Sequence, residues 1–162
     1  MNDQTPPDNQ PVFHVERVYL KDLSFESPHT PGIFAQQQGE PSISMEMEAP
    51  VTQVGDNLYT VDMAVTVELK QGDKTIFLVE VKYGGLFLLR NIPKEHMEPL
   101  LNVECPSLVF PYVRQVISNV VSEGGFRPVV LDPVNFGALY QQKMAEMRAG
   151  AGAPPAEPPA AE

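Results

Sequence analysis

The sequence predicts an α+β fold, a four-stranded antiparallel sheet with helices packed on one face. Three observations predict it. The first half of the chain alternates apolar and polar residues with period two, the second half carries apolar residues at helical spacing, and strands and helices do not alternate as a βαβ chain requires. At 162 residues the chain holds one ordinary domain with a real core. That domain is read over residues 12–148, between an N-terminal segment 1–11 and an Ala/Pro-rich tail 149–162 whose compositions cannot offset their ordering entropy and are expected to be disordered.

The elements follow in order. Residues 12–26, VFHVERVYLKDLSFE, are rich in β-branched and aromatic residues and read as the first strand, with a bulge or bend expected near Asp22. SPHTPGIFAQQQGEP then carries three prolines and two glycines and reads as a long connecting loop, of the kind that is usually functional or disordered. SISMEMEA sets Ile43, Met45 and Met47 against Ser44, Glu46 and Glu48, as a half-buried strand should. From Tyr59 to Leu69 every odd position is apolar, QGDK turns the chain, and TIFLVEVKYGG returns it. For the odd positions of both strands to face one core, the turn should hold an odd number of residues, three or five.

The return strand poses a question. Alternation sends Phe77, Val79, Val81 and Tyr83 to one face and Ile76, Leu78, Glu80 and Lys82 to the other. Ile76 and Leu78 then form an apolar island on an acidic face, which reads either as a docking site or as ordinary surface. Gly84 and Gly85 mark a bulge or bend in this strand.

After the strands the period changes. IPKEHMEPLLNVE offers a short helix interrupted at Pro99, and CPSLVFPYVRQVISNVVSEGG a longer one through Val109, Val113, Val116, Ile117 and Val120, with Pro106 near its start and Gly124 at its end. LDPVNFGALYQQKMAEM reads as a final helix capped by Asp132, with Phe136, Tyr140, Met144 and Met147 along one side.

Chemistry is sparse in this pattern. The formal net charge is -10, with 21 acidic against 11 basic side chains, so a nucleic-acid partner is disfavoured and cationic polypeptides are favoured. His14, His29 and His96 lie in different segments with no metal-binding spacing, and no metal or cofactor is expected. The single cysteine, Cys105, matches no catalytic signature and reads as a buried structural thiol in a reducing compartment. No secretory signal and no segment of roughly 18 apolar residues is found, so the reading is a cytoplasmic protein without direct membrane insertion. The apolar residues say more. A small sheet shields only part of what the helices expose, which points to self-association. Phe34, Met45, Met47, Tyr140 and Met144 are either plain core or an adaptable methionine-rich groove.

With the elements laid out, RVYLKDLSFESP, FLVEVKYGGLF, CPSLVFPYVRQVISNVVSEGGF and LDPVNFGALY, in that order and spacing, closely resemble the SecB protein-export chaperones over residues 12–147. The resemblance implies a homotetramer, a dimer of dimers, that binds unfolded secretory precursor proteins in the cytoplasm without nucleotide or active site and passes them to the translocation ATPase SecA. It implies that Asp22, Glu26, Leu78 and Glu80 contact SecA. Val79, Val81 and Tyr83 match positions on which assembly depends. Ile43, Met45, Met47, Tyr140 and Met144 match the client groove, walled by the loop around Phe34. The family usually places a tryptophan in that loop, and this chain contains none. The competing reading is an oligomeric enzyme whose apolar groove admits a small hydrophobic substrate. A subunit that only self-associates is the third.

Overall fold

A computed structural model describes residues 9–36 and 39–152. The proposed disorder of residues 1–8 and 153–162 lies outside the described residues. Ordered structure nevertheless runs past the expected start of the tail, because residues 149–151 belong to the last helix.

Strands β1 (Val12–Glu26), β2 (Ser42–Glu48), β3 (Val51–Gly55), β4 (Leu58–Gln71) and β5 (Lys74–Arg90) form one antiparallel sheet in the order β1–β5–β4–β2, with β3 also beside β4. The sheet is four strands wide, as predicted. β2 and β3 lie against β4 in a single continuing register, Glu48 opposite Ala64 and Val51 opposite Val61. The break comes at Pro50, which has no N–H to donate. Its carbonyl still accepts from the Asp62 N–H at 3.1 Å, so the ladder spans the break. The bulge expected near Asp22 is present between Leu20 and Asp22, and a second lies between Val15 and Arg17.

The turn between β4 and β5 differs from expectation. It holds only Gly72 and Asp73, with Gly72 at φ +60, since Gln71 pairs with Lys74. The parity that three or five residues would have supplied comes instead from a bulge: Lys70 pairs with Thr75 but Leu69 with Phe77, leaving Ile76 as the extra residue. Ile76 therefore does not join the outer face. Both Ile76 and Phe77 are buried, at 0% and 1% exposure, and Ser27 Oγ donates to the Ile76 carbonyl at 3.1 Å.

One face of the sheet carries α2 (Cys105–Glu123). Val61, Met63, Val65 and Val67 of β4 and Val79, Val81, Phe87 and Leu89 of β5 supply the floor of the core. The helix answers with Cys105, Val109, Val113, Ile117 and Val121, a stripe at intervals of four, while Val116 and Val120 are half-buried at its flank. Burial, with the neighbouring Glu104 carboxylate second, pushes the Cys105 thiol up to about 12, so it stays protonated and unreactive at neutral pH. Before α2, α1 (Lys94–Pro99) runs into a wide π turn over Leu100–Glu104. That turn sits between Pro99 and Pro106, where the regular hydrogen-bond ladder cannot continue. The final helix, α3 (Phe136–Ala151), starts later than predicted, and its cap is Asn135 rather than Asp132: the Asn135 side chain accepts from the Ala138 N–H at 2.9 Å.

Gly84 and Gly85 do not form a bulge, since the register is unbroken there. They permit close approach. A Cβ on Gly84 would lie 2.4 Å from the Tyr19 ring, and one on Gly85 2.6 Å from Phe87 and 2.9 Å from Val109. Tyr19 is half-buried and its ring can swing outward, whereas Phe87 and Val109 are each 0% exposed and cannot yield. Gly85→Ala should therefore cost about 1–3 kcal/mol through overpacking, and Gly84→Ala less. Thermal unfolding of both variants checks the order. A larger loss for Gly84→Ala would contradict it.

Candidate functional site on two faces of the sheet

Opposed residues in an antiparallel pair point the same way, so the register assigns each side chain to a face. On the outer face, away from α2, Asp22 stands opposite Lys82, Ser24 opposite Glu80 and Glu26 opposite Leu78. Leu78 in turn faces Glu68 of β4. Asp22, Glu26, Leu78 and Glu80, which the resemblance grouped, are thus neighbours on adjacent strands. Leu78 is half-buried, with Glu26 on one side and Glu68 on the other. With Ile76 in the core, the apolar island is Leu78 alone.

The charge around it is unbalanced. Glu46 and Glu48 of β2 extend the same face, and Asp62 sits beyond them. Lys21 Nζ reaches Asp62 Oδ2 at 3.1 Å, and Tyr19 Oη donates to Asp62 Oδ1 at 3.4 Å. Partial burial first, and then the Asp62 charge, raise the Tyr19 phenol above its ordinary value, so it remains a donor. Lys70 lies 3.7 Å from Glu68. Thr75 Oγ1 donates to Glu68 Oε1 at 2.7 Å and Ser24 Oγ to Glu80 Oε2 at 3.4 Å, and among the described residues no basic side chain pairs with Glu26 or Glu80.

The inner face carries the second region. Ile43 pairs with Leu69, Met45 with Val67 and Met47 with Val65, so these β2 residues point toward the helix side. The helices do not reach them: Ile43 is 53% and Met45 43% exposed, and only Met47 is half-buried. The half-buried strand read from alternation is therefore largely uncovered. A regular pattern encodes which face a residue takes, and it cannot encode whether another element reaches that face.

Two further groups carry the remaining predicted residues. In one, Ile33 is buried at 1% exposure and anchors a short turn, Gly32–Ala35, from which Phe34 projects at 51% exposure onto Phe126, ring centroids 5.1 Å apart. Phe126 rests on Phe77 at 5.2 Å and Phe25 at 6.5 Å, so Phe34 is the outermost ring of a stack rooted in the core. In the other, Met47, Ala49 and Pro50 face Phe136, Leu139 and Tyr140 of α3 across a cavity of about 470 Å³, with Pro106 at its base and Lys143 at its rim. Tyr140 Oη donates to Glu98 Oε2 at 3.1 Å, which ties α3 to α1. Desolvation and that carboxylate raise the Tyr140 phenol, keeping it a donor.

Of the predicted groove residues, Met47 and Tyr140 line one cavity, Ile43 and Met45 continue the strand face of Met47, Phe34 stands on Phe126, and Met144 lies half-buried one helical turn beyond Tyr140. From Ile43 to Met47 the strand face is about 13 Å long at 3.3 Å per residue. Sequence reasoning missed Phe25, Phe126, Pro50 and Leu139. Phe126 follows the Gly124–Gly125 pair that ends α2, and a large aromatic directly after a helix stop was the available signal.

The predicted assembly residues divide. Val79 and Val81, at 0% and 2% exposure, lie under α2 in the core of this chain and are not available to touch another subunit. Tyr83 differs: it is half-buried and stacks on Tyr112 of α2, centroids 5.7 Å apart, beside its strand neighbour Leu20. Tyr112 and Leu20 are 45% and 47% exposed. With Leu23 at 37% and Leu108 at 41%, they leave apolar surface along the β1 edge and the outer side of α2. Among the described residues no His/Cys/Asp/Glu cluster could hold a metal ion, and no helix is long and apolar enough to cross a membrane.

A family profile described as "SecB: Preprotein translocase subunit SecB" matches residues 6–147. A protein-export protein SecB of Magnetococcus marinus is 48% identical over 150 residues, covering 90% of this chain and 95% of the relative. Those of Methylobacillus flagellatus and Neisseria meningitidis serogroup C are 47% and 48% identical, covering 90% and 88% of this chain and 92% and 97% of the relatives. Among solved structures, a SecB-like chaperone of Mycobacterium tuberculosis in complex with a peptide from an antitoxin shares the fold with TM-score 0.61 at 12% identity, over 75% of this chain and 90% of that one.

Proposed function

The chain belongs to the SecB family of preprotein translocase subunits, and from that membership we propose that it is a nucleotide-independent holding chaperone, which keeps precursor proteins unfolded in the cytoplasm and delivers them to SecA. The observation that carries this reading is the uncovered strip on β2. A folded domain that leaves Ile43 and Met45 open beside an edge strand offers an extended polypeptide two things at once: unpaired backbone groups for β-pairing, and apolar floor for its alternate side chains. Neither contact depends on a particular client sequence. Methionine at the floor and at Met144 adapts to side chains of different shape.

The remaining parts of the reading follow from the other two surfaces. The acidic patch around Leu78 takes SecA through a cationic, partly apolar surface. The exposed apolar edge of β1 and α2 builds a dimer of dimers, so that several strips act on one client and weak contacts combine into useful avidity. The net charge of -10 favours clients with basic segments.

Full-length protein should suppress aggregation of a denatured precursor diluted from denaturant, at ratios up to equimolar and without ATP. Met45→Asp, placing a charge on the open floor, should weaken this about tenfold while leaving the fold intact, because Met45 is exposed. Light scattering of the client reports both. Suppression that is absent, or untouched by Met45→Asp, would remove the strip from the mechanism.

A further inference from the structure

The outer face of the sheet has a second end with different chemistry. Beyond Gly84, β5 continues unbroken, so Leu86, Leu88 and Arg90 point the same way as Leu78. Leu88 lies between Leu58 of β4 and His14 of β1, Leu86 lies opposite Arg17, and Arg90 opposite Val12. The three leucines are half-buried, while His14 and Arg17 are exposed. Carboxylates dominate around Leu78. Here arginines border leucines instead, and among the described residues the acids of this end, Glu16 and Asp56, stand on the outermost strand and in the β3–β4 turn.

Arg90 supplies the second observation. Its Nε is buried and is the one buried side-chain nitrogen or oxygen among the described residues with no hydrogen-bond partner. A buried donor left unpaired is costly, and a guanidinium fork is satisfied best by a carboxylate that takes two of its N–H groups together. Among the described residues no carboxylate pairs with it.

We propose that this end of the sheet, built on Leu58, Leu86 and Leu88 with Arg90 and Arg17, docks an acidic amphipathic segment of another protein, its leucine-like residues on the leucines and a carboxylate on Arg90. The site is separate from the Leu78 patch and from the β2 strip, and it does not rest on the function proposed above. It also opposes the overall charge. On net charge alone an acidic peptide should be repelled, so a preference for one has to be local.

The test uses the protein carrying Met45→Asp, which weakens the strip, and two labelled ten-residue peptides, one alternating Leu and Glu and the other Leu and Lys. By fluorescence anisotropy the Leu-Glu peptide should bind more tightly. Arg90→Met should weaken it about tenfold, the loss expected for one charge-assisted pair. Glu80→Lys, at the other end of the face, should not. In the free protein Arg90→Met should also raise the unfolding midpoint, since it removes the unpaired donor. Tighter binding of the Leu-Lys peptide, binding indifferent to Arg90→Met, or a lowered midpoint, which would make Arg90 a structural residue, each overturns the proposal.

Discussion

Leu78→Arg is expected to lower affinity for SecA by about thirtyfold, roughly 2 kcal/mol, while leaving capture of an unfolded client nearly unchanged. The size follows from position. Leu78 is the apolar centre of the acidic patch, with Glu26 and Glu68 on its two flanks, so an arginine there removes the contact and also pairs with the carboxylates a cationic partner needs. Glu80→Lys acts differently: it reverses one charge at the side of the patch, and its effect should fall mainly on the association rate and on the salt dependence. The selectivity follows from topology, because Leu78 and Glu80 point away from α2 while Ile43, Met45 and Met47 point toward the helix side. Titration calorimetry of each variant, once with SecA and once with a denatured precursor, separates the two. Equal losses for both ligands would mean that one surface serves both and that the division of the sheet into faces has no functional meaning.

That division was legible before any coordinates because period-two alternation is a statement about faces. Odd positions of β4 and β5 go inward and the acidic even positions outward, as the sequence pattern required. What alternation could not carry was a defect in the ladder. The bulge at Ile76 inserts one residue, drops an apparent surface residue into the core, and reduces a two-residue island to Leu78. Bulges depend on how a tight turn and a flat register are reconciled, which is a property of two strands and not of one. Gly84 and Gly85 show the same limit. Composition flagged them as unusual, but the cause lies in packing against Tyr19 and Val109, far away in the chain, and against Phe87 on the same strand face. The cavity between Met47 and α3 was not legible as a shape, because its far side comes from a helix that starts at Phe136 and lies far away in the chain.

Val79→Asp is expected to prevent folding rather than to release a dimer, and this separates the two ways in which an assembly residue can act. Val79 is fully buried beneath α2, opposite Val67 and Phe25, and among the described residues no charged side chain is buried beside it. An isolated carboxylate in such a site costs several kcal/mol even after relaxation, against a total stability of about 5–15 kcal/mol for an ordinary domain. Loss of the tetramer in this variant would therefore reflect loss of the subunit. Tyr112→Glu and Leu20→Glu probe assembly itself, since both side chains are nearly half exposed and a carboxylate there stays hydrated until another subunit covers it. Circular dichroism should show each of these two variants folded, while light scattering shows the mass falling from that of the proposed tetramer toward smaller species. If both keep the mass of the parent, the apolar edge is not the contact between subunits. If Val79→Asp instead folds and forms a dimer, Val79 lies at a subunit boundary after all, and α2 does not seal the core of this chain by itself.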